Sequence, residues 1–105
     1  MPLTHDFKDT VRARAQRDPA FRQALLREAV ECILNGDLGT GKAVLRNYVD
    51  ATVGFQDLEK RTHIPAKSLM RMLGPNGSPS VANFSSILMA LQKTEGVHFE
   101  LSLRR

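Results

Sequence analysis

The sequence predicts an all-α fold, a bundle of five to six helices followed by a short C-terminal β-strand. Three observations predict it. Apolar residues recur at three- and four-residue steps along most of the 105-residue chain. Clusters of Gly, Pro, Asn and Asp cut that pattern into segments of helical length. After Gly96 the apolar period drops to two, the signature of a half-buried strand. Composition agrees: Leu and Ala are plentiful, Trp is absent and aromatic residues make up only 6%.

The elements follow in order. Residues 6–17 place Phe7, Val11 and Ala15 on one helical face, with Arg12, Arg14 and Arg17 around the rest. Asp18-Pro19 reads as an N-cap followed by proline at the first helical position. The helix it opens carries a stripe of Phe21, Leu25, Ala29, Cys32 and Ile33 and stops at Asn35-Gly36. A third helix begins between Asp37 and Thr40, turns Val44, Leu45, Tyr48, Val49 and Thr52 inward, and ends at Thr52-Val53-Gly54. Residues 55–62 form a short fourth helix resting on Phe55, Leu58 and Thr62. After the turn His63-Ile64-Pro65, residues 66–73 form a fifth, with Ala66, Leu69, Met70 and Leu73 inward. The breaker cluster over residues 74–79 is a loop. Ser80 or Asn83 caps the last helix, whose stripe is Val81, Phe84, Ile87, Leu88 and Leu91. Val97, Phe99, Leu101 and Leu103 then alternate with polar residues as the terminal strand. A lone strand has unpaired edges, so pairing with a second copy, a homodimer, is expected.

By length the chain is one domain, residues 1–105, divided into an N-terminal helical part (1–53), a middle part (54–95) and the strand (96–105). The net charge of +4 is unevenly placed: residues 1–53 carry +1 and residues 54–105 carry +3. Between Lys60 and Thr94 there is no aspartate or glutamate at all, while Lys60, Arg61, Lys67, Arg71 and Lys93 fall within that third of the chain. At the average acidic content such a stretch holds about four carboxylates. A surface cleared of one sign of charge is suited to a partner of the other, and phosphate is the commonest. The single cysteine excludes an intrachain disulfide and fits a reducing compartment. No apolar run approaches the roughly 20 residues that span a bilayer, and residues 1–6 lack signal-peptide character. A cytoplasmic protein with no membrane association is expected.

Residues 36–43, Gly-Asp-Leu-Gly-Thr-Gly-Lys-Ala, come close to a phosphate-binding loop. Ala43 stands where the magnesium-holding hydroxyl belongs, and the preceding segment has helical periodicity instead of the strand that such a loop follows. A helix–helix connection is the better reading. His5, His63 and His98 are widely spaced and pair with no other ligand type at metal-binding intervals. Cys32 lies on an apolar stripe as a small hydrophobe, and Ser85-Ser86 has no base nearby in sequence. No catalytic residues, cofactor or metal are expected.

The fourth and fifth helices make a helix–turn–helix. Leu58, Ile64, Leu69 and Met72 or Leu73 occupy the apolar positions that cross two short helices steeply and expose the second. That second helix then offers Ala66, Lys67, Ser68 and Arg71 to a DNA major groove. Lys67 and Arg71 suit guanine's acceptors, Ser68 a base or phosphate, and Ala66 a thymine methyl. In the following loop Asn76, Ser78 and Ser80 are placed to meet phosphate, although a plain connector explains the loop's glycines equally well.

On these residues the chain resembles known regulators. Residues 54–92 look like the helix–turn–helix of the phage-repressor superfamily. Arg17-Asp18-Pro19-Ala20-Phe21, Asn35-Gly36-Asp37, Thr62-His63-Ile64, residues 67–73, Gly77-Ser78-Pro79 and the terminal alternation resemble the probable addiction-module antidote family. The resemblance covers roughly residues 17–103. It implies a phage-repressor-like fold and a DNA-binding, antitoxin-type repressor, which in some relatives neutralises an mRNA-cutting toxin of the RelE type. By position it puts Lys67, Ser68 and Arg71 on the recognition helix and residues 76–80 beside the DNA backbone. The sequence departs from the pattern at His63, where a small residue is usual, at Glu59, where a small buried residue is preferred, and at Phe55, where many relatives carry glutamine. The expected partner is double-stranded DNA, bound by a dimer. A protein-interaction module for a toxin, with little or no DNA binding, is the alternative.

Overall fold

The computed structural model describes residues 2–105, with side chains described from Phe7 onward. The sequence reading of residues 1–6, His5 included, lies outside the described side chains. Six helices follow one another: α1 (Pro2–Arg17), α2 (Pro19–Leu34), α3 (Leu38–Ala51), α4 (Gly54–Thr62), α5 (Ala66–Met72) and α6 (Val81–Glu95). The all-α class is as expected from periodicity.

Local chemistry sets the helix boundaries. Asp18 accepts the Phe21 N–H at 3.1 Å, with Pro19 at the first helical position where its missing N–H costs nothing. That hydrogen bond, with Arg14 alongside, holds the Asp18 carboxyl below its ordinary pKa. Asn35 ends α2, and Gly36 supplies a φ of +87° for the reversal into Asp37, whose carboxylate caps α3 through Thr40 N–H at 3.3 Å. Ser80 caps α6 through Asn83 N–H at 3.1 Å, and Gly96, at φ +73°, closes it.

α2 and α3 share the main helix–helix interface, with α1 lying against both and α4 against α3, α5 and α6. Gly41 makes the α2–α3 approach possible. A Cβ there would lie 2.5 Å from Ile33 Cγ1 and 3.0 Å from the Ala29 carbonyl oxygen. The residues resembling a phosphate loop are therefore inside a helix: Gly39, Gly41 and Lys42 all belong to α3. Leu26, Leu45, Tyr48, Val49, Leu58, Leu69, Leu73, Ile87 and Leu91 are the largest fully buried side chains of one continuous core.

Several inward assignments need correction. Leu26, not Leu25, is the deeply buried leucine of α2; Leu25 is only half-buried. Phe7, Met70 and Val81 are exposed. Of the α1 stripe only Val11 and Ala15 are covered, while Phe7 lies exposed beside Asn47 and Asp50 of α3. Val81 is the first residue of α6, ahead of the point where that helix meets the core. The C-terminal strand is not formed: among the described residues there is no strand at all. A ladder needs a second extended segment, and no other described segment is extended. Val97 and Phe99 still pack on the core, and Phe99 N–H donates to Gln92 Oε1 at 2.8 Å.

One polar cluster ties the N-terminal helices to α6. The Glu95 side chain, 2% exposed, receives Arg22 Nε at 3.0 and 3.1 Å and the Tyr48 hydroxyl at 2.5 Å. Arg22 also donates to the Ala15 carbonyl at 2.7 Å. Four helices meet in this one group. Burial and the bond to Glu95 push the Tyr48 phenol's pKa up, so it stays a proton donor.

Removing a partner from a buried pair strands the remaining charge. Glu95→Ala is therefore expected to destabilise the fold by about 2–4 kcal/mol, reduced somewhat because Arg22 keeps partial access to solvent. Urea unfolding checks this as a lower midpoint at unchanged slope.

Candidate nucleic-acid interface

α4 rests on the core through Phe55 and Leu58 and ends at His63. His63 sits at φ +62°, ψ +23°, the left-handed region, and is the only non-glycine residue with positive φ among those described. A Cβ carries a steric cost in that conformation, which is why glycine suits it better than histidine. Thr62 stabilises the turn, its hydroxyl oxygen accepting the Ile64 N–H at 3.2 Å.

α5 has only seven residues, too few to hold its shape without outside contacts. Ala66, Leu69 and Leu73, spaced three and four apart, are buried beneath it. Leu73, fully buried, takes the apolar position that the sequence leaves open between Met72 and Leu73. Both ends are held by charged side chains. Glu59 of α4 accepts the Ala66 N–H at 2.8 Å, and Arg46 of α3 donates to the Leu73 carbonyl at 2.6 Å. A carboxylate at the helix start and a guanidinium at its end both match the helix dipole. Glu59 is thus a cap on α5.

The loop over residues 74–79 is pinned by the same α3. Lys42 Nζ donates to the Gly77 carbonyl at 2.5 Å. Gly77 lies so close to α5 that a Cβ would meet the Arg71 carbonyl oxygen at 1.9 Å. Lys42 therefore acts as a loop clamp, which is the chemistry its phosphate-loop surroundings conceal.

The outward face of α5 is Lys67, Met70 and Arg71, at positions i, i+3 and i+4, one stripe on the helix. Lys67 and Arg71 are exposed, and among the described residues neither has an ion-pair partner; the same holds for Lys60 and Lys93. Arg61 differs, pairing with Asp57 at 3.1 Å. Ser68 is half-buried at the edge of the stripe. Asn76 and Ser78 are exposed on the loop whose Gly77 packs against the Arg71 backbone, and Ser78 also lines a groove with Ile33 and Leu38. Ser80 is exposed, its oxygen engaged as the α6 cap.

Ala66 is the exception. At 6% exposure its methyl faces the core, so the reading that it touches a thymine methyl gives way to the reading that it packs inward. Met70 is the reverse case: it was expected inward and is 46% exposed on the outer stripe. Its three-residue step from Lys67 is the sequence signal that places it there. Glu59, Arg46 and Lys42 carry no such signal, because each reaches its partner across a turn or from another helix.

Elsewhere, partial burial raises the pKa of the Cys32 thiol, and nearby Asp37, Glu28 and Glu31 add to the shift. No three His, Cys, Asp or Glu side chains gather at a metal-binding distance among the described residues. No described helix is long and apolar enough to cross a membrane.

No family model, curated protein or solved structure matches this chain.

Two substitutions test this geometry by thermal or urea unfolding. His63→Gly is expected to stabilise the protein by about 0.5–1 kcal/mol, because relief of the left-handed conformation exceeds the added chain entropy. Gly77→Ala is expected to destabilise it by about 1–3 kcal/mol, because the loop must leave the Arg71 carbonyl.

Proposed function

We propose that this chain is a sequence-specific DNA-binding regulator of antitoxin type, acting as a dimer and reading the major groove with the outer stripe of α5. The observation that carries the reading is the pair Lys67 and Arg71, exposed one turn apart and without carboxylate partners, within a 35-residue stretch free of acidic side chains. Arg71 suits guanine O6 and N7, Lys67 a guanine or a flanking phosphate, and Met70 an apolar contact to a thymine methyl. Ser68, Asn76 and Ser78 suit phosphate oxygens, which position a protein without specifying sequence. Glu59 does not oppose this arrangement: its carboxylate is half-buried and engaged with the Ala66 N–H.

One subunit offers few cations, so a dimer is needed to double the phosphate contacts, with half-sites about 34 Å apart. With three or four phosphates per subunit, log K against log salt should fall with a slope of about −5 to −7. Binding of that kind fits a repressor in a cytoplasmic setting.

A second reading, neutralisation of a RelE-like toxin, draws on a surface centred on α3 and the start of α6 instead of α5. Leu38 and Val81 are exposed on an apolar groove that Ile33, Pro79 and Phe84 also line, with Ser78 and Ser80 at its edge. Co-purification with a small partner that Leu38→Glu abolishes, with duplex binding absent, is the result that favours it.

Fluorescence anisotropy with duplexes selected from a random pool tests the preferred reading. Arg71→Ala should cost about 1–3 kcal/mol and relax preference at one base position. Lys67→Ala, if it meets phosphate, should weaken all sequences alike and reduce the salt slope by about one per contact. A slope near zero with the wild-type chain contradicts the proposal.

A further inference from the structure

The fold leaves the apolar pattern of the C-terminal tail incomplete. Val97 and Phe99 pack on the core while His98 and Glu100 face out, a two-residue alternation of burial. The alternation continues in sequence through Leu101 and Leu103, but their cover ends: Leu101 is 81% exposed and Leu103 is fully so. No backbone hydrogen bond is formed beyond Phe99 among the described residues. Between the tail and α2 runs an open groove, where residues 97–102 meet Leu26, Val30 and Leu34 with Gln23, Arg27 and Glu31 beside them.

We propose that this tail is the dimer interface and that its occupant is the same tail of a second copy, paired antiparallel in a defined register. Side-chain alternation restricts the choice, since only registers in which paired residue numbers sum to an even value keep all the leucines on one face. Charge then selects among these. When Ser102 lies opposite Ser102, Glu100 faces Arg104 twice by symmetry, and Leu101 faces Leu103 twice on the other face. The register centred on Leu101 instead sets Arg104 against His98 and Glu100 against Ser102, with no opposite-charge pair. Pairing completes the backbone bonds that one copy leaves open, and it covers Leu101 and Leu103, which one copy leaves exposed. The strand expected from the sequence is then a property of the dimer.

The inference rests on the dimeric DNA-binding reading for its biological use, but its test needs no DNA. Sedimentation equilibrium on the full chain should give a dimer that Leu101→Lys with Leu103→Lys converts to a monomer of unchanged helical circular dichroism. Glu100→Arg alone, or Arg104→Glu alone, should weaken dimerisation about fivefold to tenfold, because each sets like charges opposite one another twice. The double swap should restore it. A monomeric wild-type chain, a dimer indifferent to the leucine changes, or a swap that fails to restore association each overturns the proposed interface. The two failures stay separable. A monomer that still binds duplex defeats the interface and the dimeric part of the DNA reading but not the α5 contacts, and a tail-dependent dimer that binds no duplex defeats only the DNA reading.

Discussion

Seven residues cannot hold a helix in water, yet the outer stripe of this protein depends on one that short. α5 persists because its two ends are gripped by groups of opposite charge, Glu59 at the Ala66 N–H and Arg46 at the Leu73 carbonyl, while Leu69 and Leu73 anchor its underside. Lys42 extends the grip to the loop that follows. Arg46 and Lys42 both belong to α3, so the N-terminal half of the chain sets the attitude of α5 even though it supplies none of the outward-facing cations. A rigid platform is what a recognition surface requires, since side chains that read base edges must be held close to their productive geometry.

The platform is made one body by the Arg22, Tyr48 and Glu95 cluster. α1 and α2 reach it through Ala15 and Arg22, α3 through Tyr48, and α6 through Glu95. A buried ion pair adds little stability over an apolar substitute, but it allows few alternative arrangements of its members. Here it fixes α6 against the helices that carry Lys42 and Arg46. The whole path from α1 to the outer face of α5 then runs through a small number of charged contacts set on an apolar core.

Much of the fold was legible because its boundaries are written locally. Asp18-Pro19, Asn35-Gly36-Asp37, residues 74–79 and Gly96 each act through their own backbone or a neighbour three or four residues away, and the helices begin and end beside them. What was illegible depends on tertiary geometry. The choice of Leu26 over Leu25 turns on where α3 lies, and that is set by the close approach at Gly41. Of the candidate site, Lys67, Ser68, Arg71, Asn76 and Ser78 lie on or beside one surface, whereas Ala66 and Met70 exchanged the inner and outer roles assigned to them. Seven residues make fewer than two turns, too short a window for apolar spacing to decide which face is inward. The terminal alternation was legible as a pattern, but a strand requires a partner that one chain does not contain.

On the proposed reading, nucleic acid meets this protein along α5 and the loop behind it, and nowhere on the N-terminal helices. Amide chemical-shift mapping of the isotopically labelled chain, titrated with a short duplex at low salt, addresses that directly. The largest shifts should fall at residues 67–71 and 76–78, with α1 and the exposed face of α2 unmoved. Shifts concentrated on α1 and α2, or none on α5 at saturating duplex, contradict it.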